Sequence, residues 1–178
     1  MNGVTPKLEH LMRRLFAGGD EPESPHESRH LATMLGAYRR VLLVLDRNSV
    51  PEMAARDLLA RMPNGSLELV MLRLLPEWTQ DSLEAQTRDE LGRVAARLTA
   101  DERRVMGDVR RGEPVEQILR AGNEHGVELI VFAARRAGVS HWGTDTSVSA
   151  AVLRQAEVPV LVLHDGGRAE LTPASCAR

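Results

Sequence analysis

The chain has 178 residues, enough for one domain plus an extension, and its 43% hydrophobic and 27% charged content is that of an ordinary globular protein. A net charge of −2 gives no large basic footprint for nucleic acid, and the paired arginines (Arg39–Arg40, Arg103–Arg104, Arg110–Arg111, Arg135–Arg136) are spread among acids as solvated element ends. A single cysteine, Cys176, excludes an intrachain disulfide and fits a reducing, cytoplasmic compartment.

No run of about 18 apolar residues is present to span a membrane. The opening residues lack the apolar core and small-residue cleavage site of a secretory signal. Residues 1–37 read as a helical extension with a linker. Leu8, Leu11, Met12, Leu15 and Phe16 recur at helical spacing, so an amphipathic helix is predicted from Pro6, ended by Gly18 and Gly19. Its stripe needs a surface: the core, a partner subunit or a protein partner, with a membrane surface least favoured because only Lys7, Arg13 and Arg14 supply positive charge. Residues 20–24 are acidic and contain proline, the composition of a linker. Ser24-Pro25-His26-Glu27 has the form of a capping box, which predicts a short second helix over 25–35 stopped by Gly36.

From Tyr38 the pattern alternates. Residues 41–45 form an apolar strand; Ser49 and Glu52 make a second capping box before a helix with Ala54, Ala55, Leu58, Leu59 and Met62 on one face. Pro63-Asn64-Gly65 breaks that helix, and residues 67–74 are the next strand. Asp81 and Glu84 cap a long helix with Leu83, Thr87, Leu91, Val94, Ala95 and Leu98 on one side. Val105, Gly107 and Val109 alternate with polar residues, as in a half-exposed strand near a sheet edge. A helix follows over 113–125, with Val115, Ile118 and Leu119 inward and Gly126 at its C-terminal cap. Residues 127–132 and 158–163 are β-branched apolar runs flanking a Gly-containing loop and a segment of helical spacing at Val148, Ala151, Val152 and Gln155. This strand–loop–helix–strand is a βαβ unit with a right-handed crossover.

Five strands and four helices in alternation predict a doubly wound α/β fold, a five-stranded parallel sheet of order 3-2-1-4-5. Ligands of such sheets sit beyond the strand carboxyl ends where the order reverses, here between the strand running to Asp46 and the strand ending near Ala134. The loop after the latter strand enters a helix, whose free N–H groups and dipole favour an anion.

These residues resemble the universal stress protein family over nearly all of residues 38–165. Tyr38 to Asp46 is similar to the family's opening strand and its terminal aspartate; Val109-Arg110-Arg111-Gly112-Glu113-Pro114-Val115 is similar to its strand–turn–helix segment; Ser147-Val148 and Val158-Pro159-Val160-Leu161-Val162-Leu163 complete the pattern. The resemblance implies a Rossmann-like, adenine nucleotide alpha hydrolase-like fold, and commonly a homodimer formed along the last strand. Some members bind ATP with the aspartate after the first strand and a loop of the form G-x2-G-x9-G-[ST]. Here the three glycine positions of that loop fall on Ala133, Arg136 and Thr146, and only Ser147 of the closing pair remains; Gly138 lies inside the loop at none of the three. A phosphate cradle needs backbone approach without a Cβ, so the chain resembles the branch that has lost the triphosphate grip.

The candidate ligand residues are therefore Asp46, Ala133, Arg135, Arg136, Gly138, Thr146, Ser147 and Val148. Asp46 can accept from an adenine amine or ribose hydroxyl, or simply cap the following turn. Arg135 and Arg136 can replace lost glycine contacts with guanidinium forks, although Asp145 would repel phosphates and Thr144, Thr146 and Ser147 equally form a helix N-cap cluster. Trp142 in the same loop shields the cleft or stacks on a ligand.

His26-Glu27-Ser28-Arg29-His30 matches H-E-x-x-H, which on a helix places two imidazoles one turn apart with Glu27 as base, the zinc-protease arrangement. Its flanks are polar and no third ligand is identifiable, so no metal site is expected there. No nucleophile elbow, no Walker loop and no nucleophile with an orientable base is found. The expectation is a non-catalytic, homodimeric, cytoplasmic universal-stress-type protein, with no cofactor, or else an adenine-nucleotide sensor using Asp46, Arg135 and Ser147. A zinc hydrolase is the remote alternative. The dimer seam is expected along the last strand, at Val158, Val160, Leu161, Val162 and Leu163, where an apolar edge without lysine invites pairing unless the tail, residues 166–178, or the N-terminal helices cover it.

Overall fold

The computed structural model describes residue 33 and residues 35–45, 49–62, 66–99, 103–134, 146–164 and 169–172. The predicted helices over 6–16 and, but for residues 33 and 35, over 25–35 lie outside them. In chain order the elements are β1 (Arg40–Leu45), α1 (Pro51–Arg61), β2 (Leu67–Leu75), α2 (Asp81–Leu98), β3 (Arg103–Arg111), α3 (Pro114–Glu124), β4 (Leu129–Ala134), α4 (Thr146–Gln155), β5 (Val160–His164) and β6 (Ala169–Thr172).

The five parallel strands stand in the predicted order 3-2-1-4-5. A sixth strand corrects the expectation of an open last edge. β6 pairs antiparallel with β5, setting Val160 opposite Thr172, Leu161 opposite Leu171, Val162 opposite Glu170 and Leu163 opposite Ala169. The β5 backbone groups expected to seat a second copy are thus engaged within the chain by part of the tail.

Both sheet faces are covered, which is why β1 and β4 read as unbroken apolar runs. On one face Val41, Leu43, Leu45, Leu69 and Met71 pack with Ala55, Leu58 and Leu59 of α1 and Leu91, Val94 and Ala95 of α2; Leu35 is buried there too. On the other, Leu42, Val44, Leu72, Ile130 and Phe132 pack with Ile118 and Ala121 of α3 and Val148, Val152 and Ala156 at α4.

Helix starts differ from the predicted caps. Val50 is the N-cap of α1 and Gln80 that of α2, both without a side-chain cap bond, while Pro51 opens α1 with its preset φ. Glu52 instead accepts from Arg56 one turn on and from Arg97 of α2 (2.6 Å), tying the two helices. Asp81 and Glu84 pair with Arg111 at the end of β3. Leu83, predicted inward, is 50% exposed. α3 is capped as its sequence implies: Glu113 accepts from the Glu116 amide (2.7 Å). At its end Gly126, at φ +58°, allows the amides of Gly126 and Val127 to reach the Asn123 and Gly122 carbonyls, a Schellman closure.

β3 is the edge strand, as its alternation predicted. Gly107 lies under α2, where an added Cβ would stand 2.5 Å from the Leu91 Cβ and 3.3 Å from its backbone carbon. Gly107→Ala therefore forces helix and sheet apart, and a loss of about 1–3 kcal/mol is expected in chemical denaturation with an unchanged slope. A variant as stable as the parent would contradict this packing.

Below the β1–β4 pair, Glu128 accepts from the backbone amides of Arg39 (2.7 Å) and Arg40 (3.3 Å) and donates its own amide to the Arg40 carbonyl. The Arg39 amide, more than the Arg40 groups, holds the Glu128 carboxyl below the usual carboxylate range against a small desolvation cost. A depressed folded pKa stabilises above the unfolded value, and that stability is lost as pH falls through the folded value. Glu128→Gln should be less stable than the parent at neutral pH, with the gap closing by about pH 3; urea titrations across that range showing a constant gap would remove the carboxylate from this role.

Candidate functional site

The crevice follows from the two-sided core. α1 leaves β1 toward one face and α4 leaves β4 toward the other, so the loops beyond Leu45 and Ala134 diverge. Between them the strand order reverses, and the carboxyl ends of β1 and β4 stand side by side with Leu45 opposite Ala133.

Of the predicted ligand residues, Asp46, Arg135, Arg136 and Gly138 lie outside the described residues, as do Trp142 and Asp145. Ala133 is the penultimate residue of β4, between Leu45 and Leu163, and its methyl packs against the core on the α1 side. Thr146 is the first residue of α4 and Ser147 the second. Val148, placed among the ligand candidates, is 8% exposed and packs in the α3–α4 core. Its side chain serves the fold, and only its backbone in the first turn is left for an anion. The described part of the site is thus the end of β4 and the start of α4.

Sequence reasoning missed Arg73. It sits on β2 directly opposite Leu45, is 8% exposed, and its Nη2 donates to the Ser49 carbonyl (3.0 Å) just ahead of α1. A buried guanidinium must be hydrogen-bonded, and here that bond ties the beginning of α1 to β2 beside the crevice. The available signal was an arginine inside the apolar run Leu67–Leu75. Ser49 itself is buried rather than capping the helix.

A second polar cluster lies on the β3 edge. Asp108 accepts from Arg110 Nε (2.9 Å) and pairs with His125 Nε2 (2.9 Å), while Glu124 accepts from Arg110 (2.6 Å) and Arg120 (2.7 Å). Burial opposes the charge on Arg110, but the bonds to Asp108 and Glu124 outweigh it and raise its pKa. Arg120 and then Arg110 hold the Glu124 carboxyl low. The set contains no hydroxyl or thiol nucleophile; chemically it is an ion-pair network joining α3 to β3. Among the described residues no group of three His, Cys, Asp or Glu side chains can hold a metal ion, and no helix is long and apolar enough to cross a membrane. His26, Glu27 and His30 lie outside the described residues.

The sequence finds no match among curated proteins. Among solved structures, the hypothetical protein MJ0577 is similar at 20% identity and a TM-score of 0.55, over 71% of this chain and 96% of that one. The hypothetical protein PH0823 is similar at 21% identity and a TM-score of 0.51, over 71% and 96%. A universal stress protein from Archaeoglobus fulgidus, solved in complex with dAMP, is similar at 20% identity and a TM-score of 0.46, over 70% and 97%. The universal stress protein family model matches residues 37–164, the segment that carries all five parallel strands and the four helices. On that match the chain belongs to the universal stress protein family.

Proposed function

We propose that this protein is a non-catalytic, homodimeric, cytoplasmic member of its family, acting in the stress response through interactions, with a β4–α4 loop that no longer grips a triphosphate. The observation that carries this reading is Ala133. Its methyl points into the core at the first position where ATP-binding members have glycine, so the backbone there is not bare. Arg136 and Thr146 stand at the other two positions, and side chains there crowd the approach that a nest of amides needs. The dimer belongs to the same reading, with β6 replacing β5 as the strand at the sheet's end.

Calorimetry and thermal shift with ATP test it. The parent protein is expected to show no shift at millimolar ATP and no turnover of it, and the Ala133→Gly/Arg136→Gly/Thr146→Gly variant to gain binding. A parent Kd near 10 μM would add about 2.7 kcal/mol of stability at a hundredfold excess and would overturn the reading. Binding of AMP without ATP would instead assign a nucleotide sensor using Asp46, Arg135 and Ser147. Light scattering should give twice the chain mass; a monomer would remove the dimer.

A further inference from the structure

Among the described residues, four large apolar side chains are left exposed: Val50 (46%), Met53 (59%), Trp78 (83%) and Leu83 (50%). All four occupy equivalent places. Val50 and Met53 lie at the start of α1, Trp78 in the turn before α2, and Leu83 in the first turn of α2. Both helices pack on the same sheet face, and both begin at the carboxyl end of their strands. Single exposed apolar residues need no explanation, but a set gathered at one end of one face marks a surface that something covers.

We propose that the cover is this chain's own N-terminal segment, residues 6–16, folded back as a helix onto the starts of α1 and α2. Three observations select that occupant. Its stripe of Leu8, Leu11, Met12, Leu15 and Phe16 is apolar at helical spacing and needs a surface of this kind. The described chain enters the fold on the same side, because Leu35 is fully buried in the cluster that holds α1 and α2. The 18 residues 17–34 between stripe and Leu35 can span up to about 60 Å, against about 20 Å for the length of β1.

Charge agrees with the placement. Lys7 and Arg14, seven residues apart, share one flank of the stripe. Exposed Glu77 adjoins Trp78, and exposed Asp57 lies one turn beyond Met53 on α1. The surface borders the carboxyl end of the sheet, so a docked segment sits beside the crevice mouth.

The full-length chain carrying Trp142→Phe leaves Trp78 as its only tryptophan. In that background Trp78 is expected to emit as a shielded indole and to resist acrylamide; adding Leu11→Asp and Leu15→Asp should shift its emission to the red and raise the quenching constant several-fold. In the reverse direction Leu83→Asp, a half-exposed position that leaves the core intact, should speed tryptic cleavage after Arg13 or Arg14 several-fold. Trp78 fully accessible in the full-length chain, or cleavage unchanged by Leu83→Asp, would overturn the assignment. Shielding that grows with protein concentration would also overturn it, by giving the surface to a second copy.

Discussion

The structure depends on the burial of β1. Residues 41–45 are at most 1% exposed, flanked by β2 and β4 in the sheet and covered by helices on both faces. A strand so enclosed has no water to satisfy its backbone, so the parallel ladder on each side must be complete. Each parallel neighbour requires a crossover helix, and right-handed crossovers on either side of β1 send α1 and α4 to opposite faces. The crevice is therefore a product of the core: only beyond the ends of β1 and β4 does the packing leave room.

That origin explains why the polar side chains near the crevice are tied to structure. Arg73 projects into the same face as α1 and α2, and its bond to the Ser49 carbonyl holds the chain just before α1. Glu128 does the corresponding work at the amino end by bonding the Arg39 and Arg40 amides, which keeps β1 and β4 in register. A one-residue slip of either strand would turn its core face outward, so these two contacts set the relative height of the strand ends from which any ligand is met.

The main sheet was legible because its information is local. Apolar runs, alternation in β3, and the Gly126 stop each follow from the side chain's own position in an element, and all five parallel strands were found in order. What was not legible depends on distant partners. Ser49 and Glu52 fit a capping box, yet Pro51 opens the helix and Glu52 is recruited by Arg97, 45 residues away. Leu83 has the spacing of an inward residue, but Leu91, Val94 and Ala95 are the buried set of α2, so its first turn is left uncovered. β6 is only four residues, Ala-Glu-Leu-Thr, with no apolar run to announce it; it exists because β5 offers an open ladder. Of the site, Ala133 and Val148 show why identity alone misleads: the same positions that line a loop in sequence are spent on the core in space.

The two ends of the sheet are guarded in different ways, and this bears on assembly. β3 carries Arg103, Arg104, Asp108, Arg110 and Arg111, a density of charge that disfavours edge-to-edge pairing. At the other end β6 is four residues long. Pairing two such strands would form only a few backbone hydrogen bonds, each worth about 0.5–1.5 kcal/mol net, against an association cost of about 4–15 kcal/mol. A strand seam alone is thus too weak to hold two chains. A stable dimer must also bury apolar side chains near that end, and Leu153, Val158 and Val162, which pack only partly buried against the α3–α4 core, are the ones the fold leaves within reach of it. The apolar residues of the last parallel strand then matter through the sheet face they share with α4, while the hydrogen-bonding edge belongs to β6.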